Sequence, residues 1–331
     1  MAAVAEVGGA MRYRVWTVLA AVGLLALAYL CRAEIFLAIG LLDDSLTSDN
    51  PLTRHTAQLE IRAAQGLLGF GAVLMFAVGI WGERIAATGW ARALRSLPDR
   101  LTPGGEALRL RLFGPSLAIT LAATVVITAY AVWGDRFLSF DMMGKINFED
   151  GLIENCQAIF FALAGVLSLI WAAKGRPNGG RRFTWLLLGL GFIFLTGEEI
   201  SWGQRIFGFA TPEAIEVVNV QKEFNLHNLL GYLFDHLFIL GFFLWGAVLP
   251  LLYQWVADLR RIVVATGFPL PSAGLAVGMV LASLMQEPLV TRVFVPVGGL
   301  RVAEIREFLS ALCFLLLMYE VGKLHHVGRA E

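Results

Sequence analysis

Residues 112–134 read LFGPSLAITLAATVVITAYAVWG, a run of 23 residues without a charged side chain. A helix of about 20 apolar residues is long enough to cross the hydrocarbon core of a bilayer. Over the 331-residue chain, 57% of the residues are hydrophobic and 16% are charged, whereas about a quarter of the residues in soluble domains are charged. The sequence therefore predicts a multi-pass membrane protein and argues against a disordered chain, a coiled coil or a nucleic-acid-binding protein.

Eight segments have the length and hydrophobicity of a membrane span. They lie at about 15–40, 63–82, 112–134, 151–173, 183–200, 229–256, 273–291 and 303–322. We therefore expect an all-α bundle of about eight transmembrane helices that forms a single transmembrane domain over residues 1–331. The first and seventh segments fit least well, because Arg32 and Glu34 interrupt the first and the seventh is short and ends at Pro288.

The distribution of charge predicts the orientation. If the N-terminus is inside, the inner segments hold 16 of the 26 basic residues and 7 of the 26 acidic residues. Short cytoplasmic loops are enriched in Lys and Arg, so both termini are predicted to be cytoplasmic. The remaining 19 acidic residues lie on the outer side with 10 basic residues. The positive-inside rule does not require this outer acidic excess, which therefore points to function.

Five of the predicted helices carry polar and ionisable groups at the outer end. These groups are Glu149, Asp150, Glu154 and Gln157; Glu198, Glu199 and Arg205; Glu223, His227, Asp235 and His236; Gln286 and Glu287; and Arg301, Glu304, Arg306 and Glu307. Helical spacing places Asp150, Glu154 and Gln157 on one face. Glu198, Trp202 and Arg205 share a face if the helix continues past residue 200. The inner halves carry few charges, so we expect a cup that opens outward and not a pore.

Glu198 and Glu199 are the candidate catalytic residues. Two adjacent carboxylates at the end of an apolar helix are costly unless they are paired or hydrated. One of them can serve as a general base or bind a metal ion. The alternative is a structural one, in which Glu198 forms a salt bridge with Arg205 and Glu199 lies in interfacial water.

Glu223 and His227 form a candidate metal half-site, because ligands at positions i and i+4 of a helix meet on one face. Together with Glu154 they would bind a divalent metal ion, with Zn, Mn or Fe suited to such a site and hard cations also compatible. Taken alone, the pair fits better a structural interpretation, in which Glu223 caps the sixth helix and His227 bonds to a headgroup or neighbour.

Arg205, Trp202 and Asn228 are the candidate substrate-binding residues. Arg205 lies where it could hold a phosphate of a lipid headgroup or of a lipid-linked substrate. Its alternative role is that of an ordinary interfacial anchor beside Trp202. Arg301 and Arg306 alternate with Glu304 and Glu307 on the last helix, so ion pairs within that helix are expected there.

The segments GEEISWGQR at 197–205 and NVQKEFNLHN at 219–228 resemble a recurring signature of uncharacterised bacterial multi-pass membrane proteins. This resemblance covers a small part of the chain, and it implies a protein of the bacterial cytoplasmic (inner) membrane. It carries no catalytic role with it.

The sequence thus leads to one preferred hypothesis and two alternatives. The preferred one is an enzyme that acts on a lipid or lipid-linked substrate at the outer leaflet by metal-assisted hydrolysis or group transfer. The alternatives are a transporter or channel, which requires polar groups through the inner halves, and a non-catalytic assembly or sensor protein.

Overall fold

A computed structural model of the chain describes residues 2–38, 46–49, 51–98, 103–148, 151–174, 179–217, 219, 222–226 and 233–327. The chain is all-helical within these ranges, as the sequence predicted. In chain order the α-helices are α1 (Ala2–Leu30), α2 (Ala33–Ala38), α3 (Pro51–Ala86), α4 (Gly89–Arg95), α5 (Pro103–Trp133), α6 (Phe140–Asn147), α7 (Leu152–Lys174), α8 (Gly179–Glu199), α9 (Gln204–Phe207), α10 (Glu213–Glu216), α11 (Leu233–Phe243), α12 (Leu249–Trp255), α13 (Ala257–Thr266), α14 (Ala273–Leu284), α15 (Glu287–Val290) and α16 (Val302–Val327). Residues Gly134–Arg136 form a 3-10 helix, Ser201–Gly203 form a left-handed turn, and Leu244–Val248 form a π-helical turn between α11 and α12.

Among the described residues, five segments are long and apolar enough to cross a membrane. They are Tyr13–Leu30, Ala57–Ala86, Arg111–Arg136, Phe140–Ala173 and His236–Trp255. The chain therefore has the helices of a multi-pass membrane protein. Two further helices, α8 and α16, have 21 and 26 residues, but both carry ionisable groups near their ends.

Two of the predicted spans differ from the observed helices. The first was expected at 15–40, but α1 ends at Leu30, where the side-chain amide of Gln65 donates a 2.6 Å hydrogen bond to the Cys31 carbonyl. The seventh was expected at 273–291, but α14 has only 12 residues and ends at Leu284. Gln286 is extended, two residues before Pro288, whose ring is incompatible with the interior of a continuous helix.

The chain divides into two compact units, residues 1–96 with 230–233 and residues 97–229 with 234–331. In the first unit, α1 and α3 pack as an antiparallel pair. Thr17 fits against Gly79, where an added Cβ would lie 2.6 Å from the threonine hydroxyl oxygen. Near the same end, the Arg14 guanidinium forms an exposed 2.9 Å ion pair with Glu83. Gly79 therefore permits the close approach of the two helices.

In the second unit, α7 and α8 are antiparallel and in close contact. Gly165 and Gly189 face one another, since a Cβ on either would lie 3.2–3.3 Å from the carbonyl oxygen of the other. The Ser168 hydroxyl also donates a 2.8 Å hydrogen bond to the Trp185 carbonyl. Small residues let membrane helices approach closely. The beginning of α7 consequently lies beside the end of α8, which decides where their terminal carboxylates meet.

Helix α16 lies at the centre of the second unit and packs against α5, α7 and α14. Its apolar face contributes Phe314 and Leu317 to a core of aromatic and aliphatic side chains, in which Phe161, Phe192 and Phe242 surround Phe314. Both ends of this helix carry buried carboxylates, at Glu304 and at Glu320. The two carboxylates are separated by about 24 Å along the helix axis, at 1.5 Å per residue.

Candidate functional site

Five carboxylates from three helices meet at one end of the second unit. They are Glu154 of α7, Glu198 and Glu199 of α8, and Glu304 and Glu307 of α16, and they are called the carboxylate cluster below. The Glu199 carboxylate interacts electrostatically with all four of the others, most strongly with Glu307. Glu154 and Glu304 lie in the first turns of their helices, where the helix dipole stabilises negative charge. Of the five helices that were predicted to bring polar groups together, three contribute to the carboxylate cluster: α7, α8 and α16.

Two arginines neutralise part of this charge. Arg301 forms an ion pair with Glu304, and the guanidinium of the buried Arg306 lies 3.4 Å from a Glu307 oxygen. The predicted ion pairs within the last helix are therefore confirmed. Glu198 and Glu304 are buried, and buried negative charge is costly unless cations or protons compensate it.

Gln157 adds a buried acceptor to the cluster. Its side chain is 0% exposed, and its amide nitrogen donates a 3.3 Å hydrogen bond to Glu307. Its amide oxygen has no hydrogen-bond partner among the described residues. A buried oxygen without a donor is rare in folded proteins, so a donor to this atom is expected from outside the described residues or from a bound group.

Glu198 is fully engaged in holding the neighbouring loop. One of its oxygens accepts a 2.6 Å hydrogen bond from the Trp202 indole, and the other accepts a 2.6 Å bond from the Leu226 backbone amide. The side chain is 3% exposed. A structural role for Glu198 was the alternative that the sequence offered, with Arg205 as the partner. The observed partners are Trp202 and Leu226, and the Arg205 side chain lies outside the described residues.

The sequence left open whether the fifth helix continues past residue 200, and the structure shows that it does not. Helix α8 ends at Glu199, and Ser201, Trp202 and Gly203 have positive φ angles of 46°, 53° and 78°. Left-handed backbone over three residues ends an α-helix. The turn folds the Trp202 ring back over Gly197, where a Cβ would lie 3.0 Å from the indole. Trp202 therefore reaches Glu198 through the turn and not along a helical face.

Glu223 also belongs to this loop. Its carboxylate accepts hydrogen bonds from the Ser201 hydroxyl at 2.7 Å and from the Asn225 amide at 3.0 Å. Residues 222–226 are not helical, so Glu223 does not lie on a helix as expected, and its pairing with His227 stays a prediction. His227 and Asn228 lie outside the described residues, and so do Glu149 and Asp150.

The residues of the sequence signature bond mainly to one another. Besides the bonds of Glu198 and Glu223, the Gln204 side chain accepts a 2.8 Å bond from the Phe224 amide, and the Asn219 amide donates to Asn225 at 2.8 Å. The two halves of the signature thus form one network, here called the signature loop (residues 201–226). The sequence did not predict the roles of Gln204, Asn219 and Asn225. The available signal was that these amide side chains lie within the two signature segments.

Removing the Glu198 carboxylate is expected to loosen the signature loop. In Glu198→Ala, the Leu226 amide loses a bond to a charged group, which contributes about 1.5–3 kcal/mol. Local opening should then become at least about tenfold more frequent. Hydrogen exchange of peptides from 201–226, followed by mass spectrometry, measures this change. Glu216→Ala, an exposed residue of the same loop, is the control, and equal exchange in the two variants would contradict the assigned role.

A second buried carboxylate, missed in the sequence, lies at the other end of α16. Glu320 is 1% exposed, and it accepts hydrogen bonds from the Ser116 hydroxyl (2.5 Å), the Ser272 hydroxyl (2.6 Å) and the Ser272 amide (2.8 Å). Ser272 is the N-cap of α14. The available signal was a serine after the Pro269-Leu270-Pro271 segment, which is typical of an N-cap.

In the described parts of the chain, no group of three or more His, Cys, Asp or Glu residues is arranged to hold a metal ion. The predicted ligands are divided between two places: Glu154 lies in the carboxylate cluster and Glu223 in the signature loop. Comparisons of the chain with protein-family models, with curated proteins and with solved structures find no match.

Proposed function

We propose that this protein is an integral membrane enzyme that acts on a lipid or lipid-linked substrate, with the carboxylate cluster as its active site. The observation that carries the proposal is the convergence of five carboxylates with the buried, unpartnered oxygen of Gln157. Such an all-oxygen site suits a hard divalent cation such as Mg²⁺ or Mn²⁺ better than Zn²⁺. The chemistry is metal-assisted hydrolysis or group transfer.

The geometry supports different roles for the individual carboxylates. Glu154 and Glu307, with the Gln157 oxygen, would hold the cation, which would polarise a substrate oxygen. Glu199 is the better candidate for the general base, because both oxygens of Glu198 already accept hydrogen bonds. Arg301 and Arg306 hold their carboxylate partners in place and compensate part of the charge.

A lipid substrate is favoured by the surface of the signature loop. Ile206 and Phe207 directly follow the turn at Gly203 and are 72% and 79% exposed. Large apolar side chains at this exposure, a few residues from the carboxylates, suit insertion into the apolar edge of a membrane. A substrate with an acyl or polyprenyl chain could then reach Glu199 laterally from the bilayer.

We further propose the topology that the charge pattern predicts. The five candidate spans are joined by α8, α14 and α16 to give about eight, with both termini in the cytoplasm and the carboxylate cluster at the outer leaflet. The membrane would be the bacterial cytoplasmic (inner) membrane.

A transporter is the second candidate, and Glu320 is the observation that favours it. This carboxylate lies on the end of the bundle opposite the carboxylate cluster, in the half expected to be apolar. Phe314 and Leu317 fill the interior between the two sites, which opposes a continuous polar path. Proton or Mn²⁺ uptake into proteoliposomes distinguishes the two functions, since the enzyme proposal predicts none.

Glu199→Gln tests the enzyme proposal, because it keeps the size of the side chain and removes the basic oxygen. A general base contributes about 10²–10⁴ to the rate, so we expect product formation to fall by at least about 100-fold. The measurement is mass spectrometry of lipids after incubation of proteoliposomes, made from a bacterial polar lipid extract, with Mn²⁺. Glu287→Gln, on an exposed side chain, is the matched control. Equal product formation by both variants would refute the role of Glu199.

A further inference from the structure

A cavity of about 110 Å³ lies at the end of the second unit where Arg181 begins α8. Its apolar walls come from three helices and a loop: Trp185, Val263, Phe268, Leu270, Val321 and Leu324. An engineered cavity of about 150 Å³ with apolar walls is large enough to hold benzene. This cavity therefore has room for a segment of one hydrocarbon chain.

The mouth of the cavity carries an oriented guanidinium group. Arg181 donates from Nε and Nη2 to the Val264 carbonyl, at 3.3 and 2.9 Å. Its aliphatic part crosses Gly267, whose φ is +64° and where a Cβ would lie 2.7 Å from the arginine Cγ. Any other residue at 267 would be strained and would displace Arg181. The backbone thus fixes the guanidinium beside the apolar opening.

The segments around the mouth are basic. Residues 179–185, 256–271 and 319–324 contain five basic and two acidic residues, and one of these acids, Glu320, is buried. Arg182 is exposed beside Arg181. Helix α13 places Asp258 and Arg261 in a 2.7 Å ion pair on one side and Val263 in the cavity wall on the other. A short amphipathic helix of this kind is suited to the membrane interface.

We propose that this cavity binds an anionic phospholipid, with the headgroup phosphate at Arg181 and Arg182 and the upper part of one acyl chain between Trp185 and Val263. The occupant must combine a negative group with a hydrocarbon chain, because the mouth is cationic and the walls are apolar. The site lies about 26 Å along α8 from Glu198, at 1.5 Å per residue. It is therefore separate from the carboxylate cluster and independent of the proposed enzyme function.

Quenching of Trp185 by brominated lipids tests this proposal on the full chain in vesicles. The chain has nine tryptophans, so the contribution of Trp185 is the difference between the wild type and Trp185→Phe. Two vesicle compositions are compared at equal bromine content, brominated phosphatidylglycerol in phosphatidylcholine and brominated phosphatidylcholine alone. Each basic residue near the surface raises the local concentration of anionic lipid about fivefold. We therefore expect the quenching of Trp185 by brominated phosphatidylglycerol to exceed that by brominated phosphatidylcholine by at least about fivefold.

Four variants distinguish lipid binding in the cavity from the nonspecific attraction of anionic lipid to a basic surface. Val263→Phe fills the cavity and should abolish the preference, whereas Val166→Phe, on an exposed face of α7, should leave it unchanged. Arg182→Gln should reduce the preference about fivefold, and Arg92→Gln, an exposed residue of the other unit, should not. Equal quenching by the two lipids, or an unchanged preference in both Val263→Phe and Arg182→Gln, would overturn the proposal.

Inorganic phosphate distinguishes a lipid from a free anion at the same arginines. It shares the charge of the headgroup but has no chain for the cavity, so added phosphate is expected to leave the quenching unchanged. Displacement of the brominated lipid by phosphate at constant ionic strength would show a simple anion site and would overturn the assignment to a phospholipid.

Discussion

Replacing Glu320 by alanine is expected to lower the free energy of unfolding by about 3 kcal/mol or more. The carboxylate accepts three hydrogen bonds, from the hydroxyls of Ser116 and Ser272 and from the Ser272 amide. Truncation leaves these donors buried, and each unpaired donor costs at least about 1 kcal/mol. It also removes a negative charge from the N-terminus of α14, where the helix dipole stabilises it. The measurement is the unfolding midpoint of the purified protein in detergent.

Two variants make this result specific. Glu320→Gln keeps one acceptor oxygen for the serine hydroxyls but cannot accept from the Ser272 amide in the same way, so its loss should be smaller than that of Glu320→Ala. Glu287→Ala changes an exposed side chain and should alter stability by less than about 0.5 kcal/mol. If Glu320→Ala and Glu287→Ala unfold at the same midpoint, Glu320 does not join α5, α14 and α16 as described.

The sequence predicted the class of fold because hydrophobicity and helix length follow directly from composition. It predicted helix boundaries less well wherever a single interaction ends a helix. The Gln65 amide at the Cys31 carbonyl and the left-handed turn at Ser201–Gly203 depend on contacts and backbone angles. Neither leaves a periodic signal, so the first span was predicted to extend to residue 40, and the turn after Glu199 was not predicted.

The sequence predicted that α7, α8 and α16 carry carboxylates near one end, but it did not predict the hydrogen-bond partners of these carboxylates. The antiparallel packing of α7 and α8 brings Glu154 and Glu199 to the same end of the unit. On α16, helical spacing places Glu304 and Glu307 on one face near that end. Glu198 and Glu199 are equivalent by sequence. Only the tertiary contacts show that both oxygens of Glu198 accept hydrogen bonds, from Trp202 and Leu226.

Glu320 shows the opposite limit of sequence reasoning. Near a helix end it was counted with the charges of the inner surface, since glutamate is rarely fully buried without partners. Its partners come from residues 204 and 48 positions away, a separation that no local pattern reveals. The end of the second unit opposite the carboxylate cluster therefore contains a buried ionisable group that the sequence had placed at the surface.

The binding of Mn²⁺ to the purified full chain shows whether the carboxylate cluster holds a divalent cation. Equilibrium dialysis in detergent, with manganese counted by elemental analysis, should show one tightly bound ion per chain. Glu154→Gln and Glu307→Gln should each weaken binding by more than the roughly 10- to 100-fold that loss of an outer-shell partner costs at metal sites, while Glu287→Gln binds as the wild type does. No bound manganese in the wild type, or equal binding by all four proteins, would contradict the account.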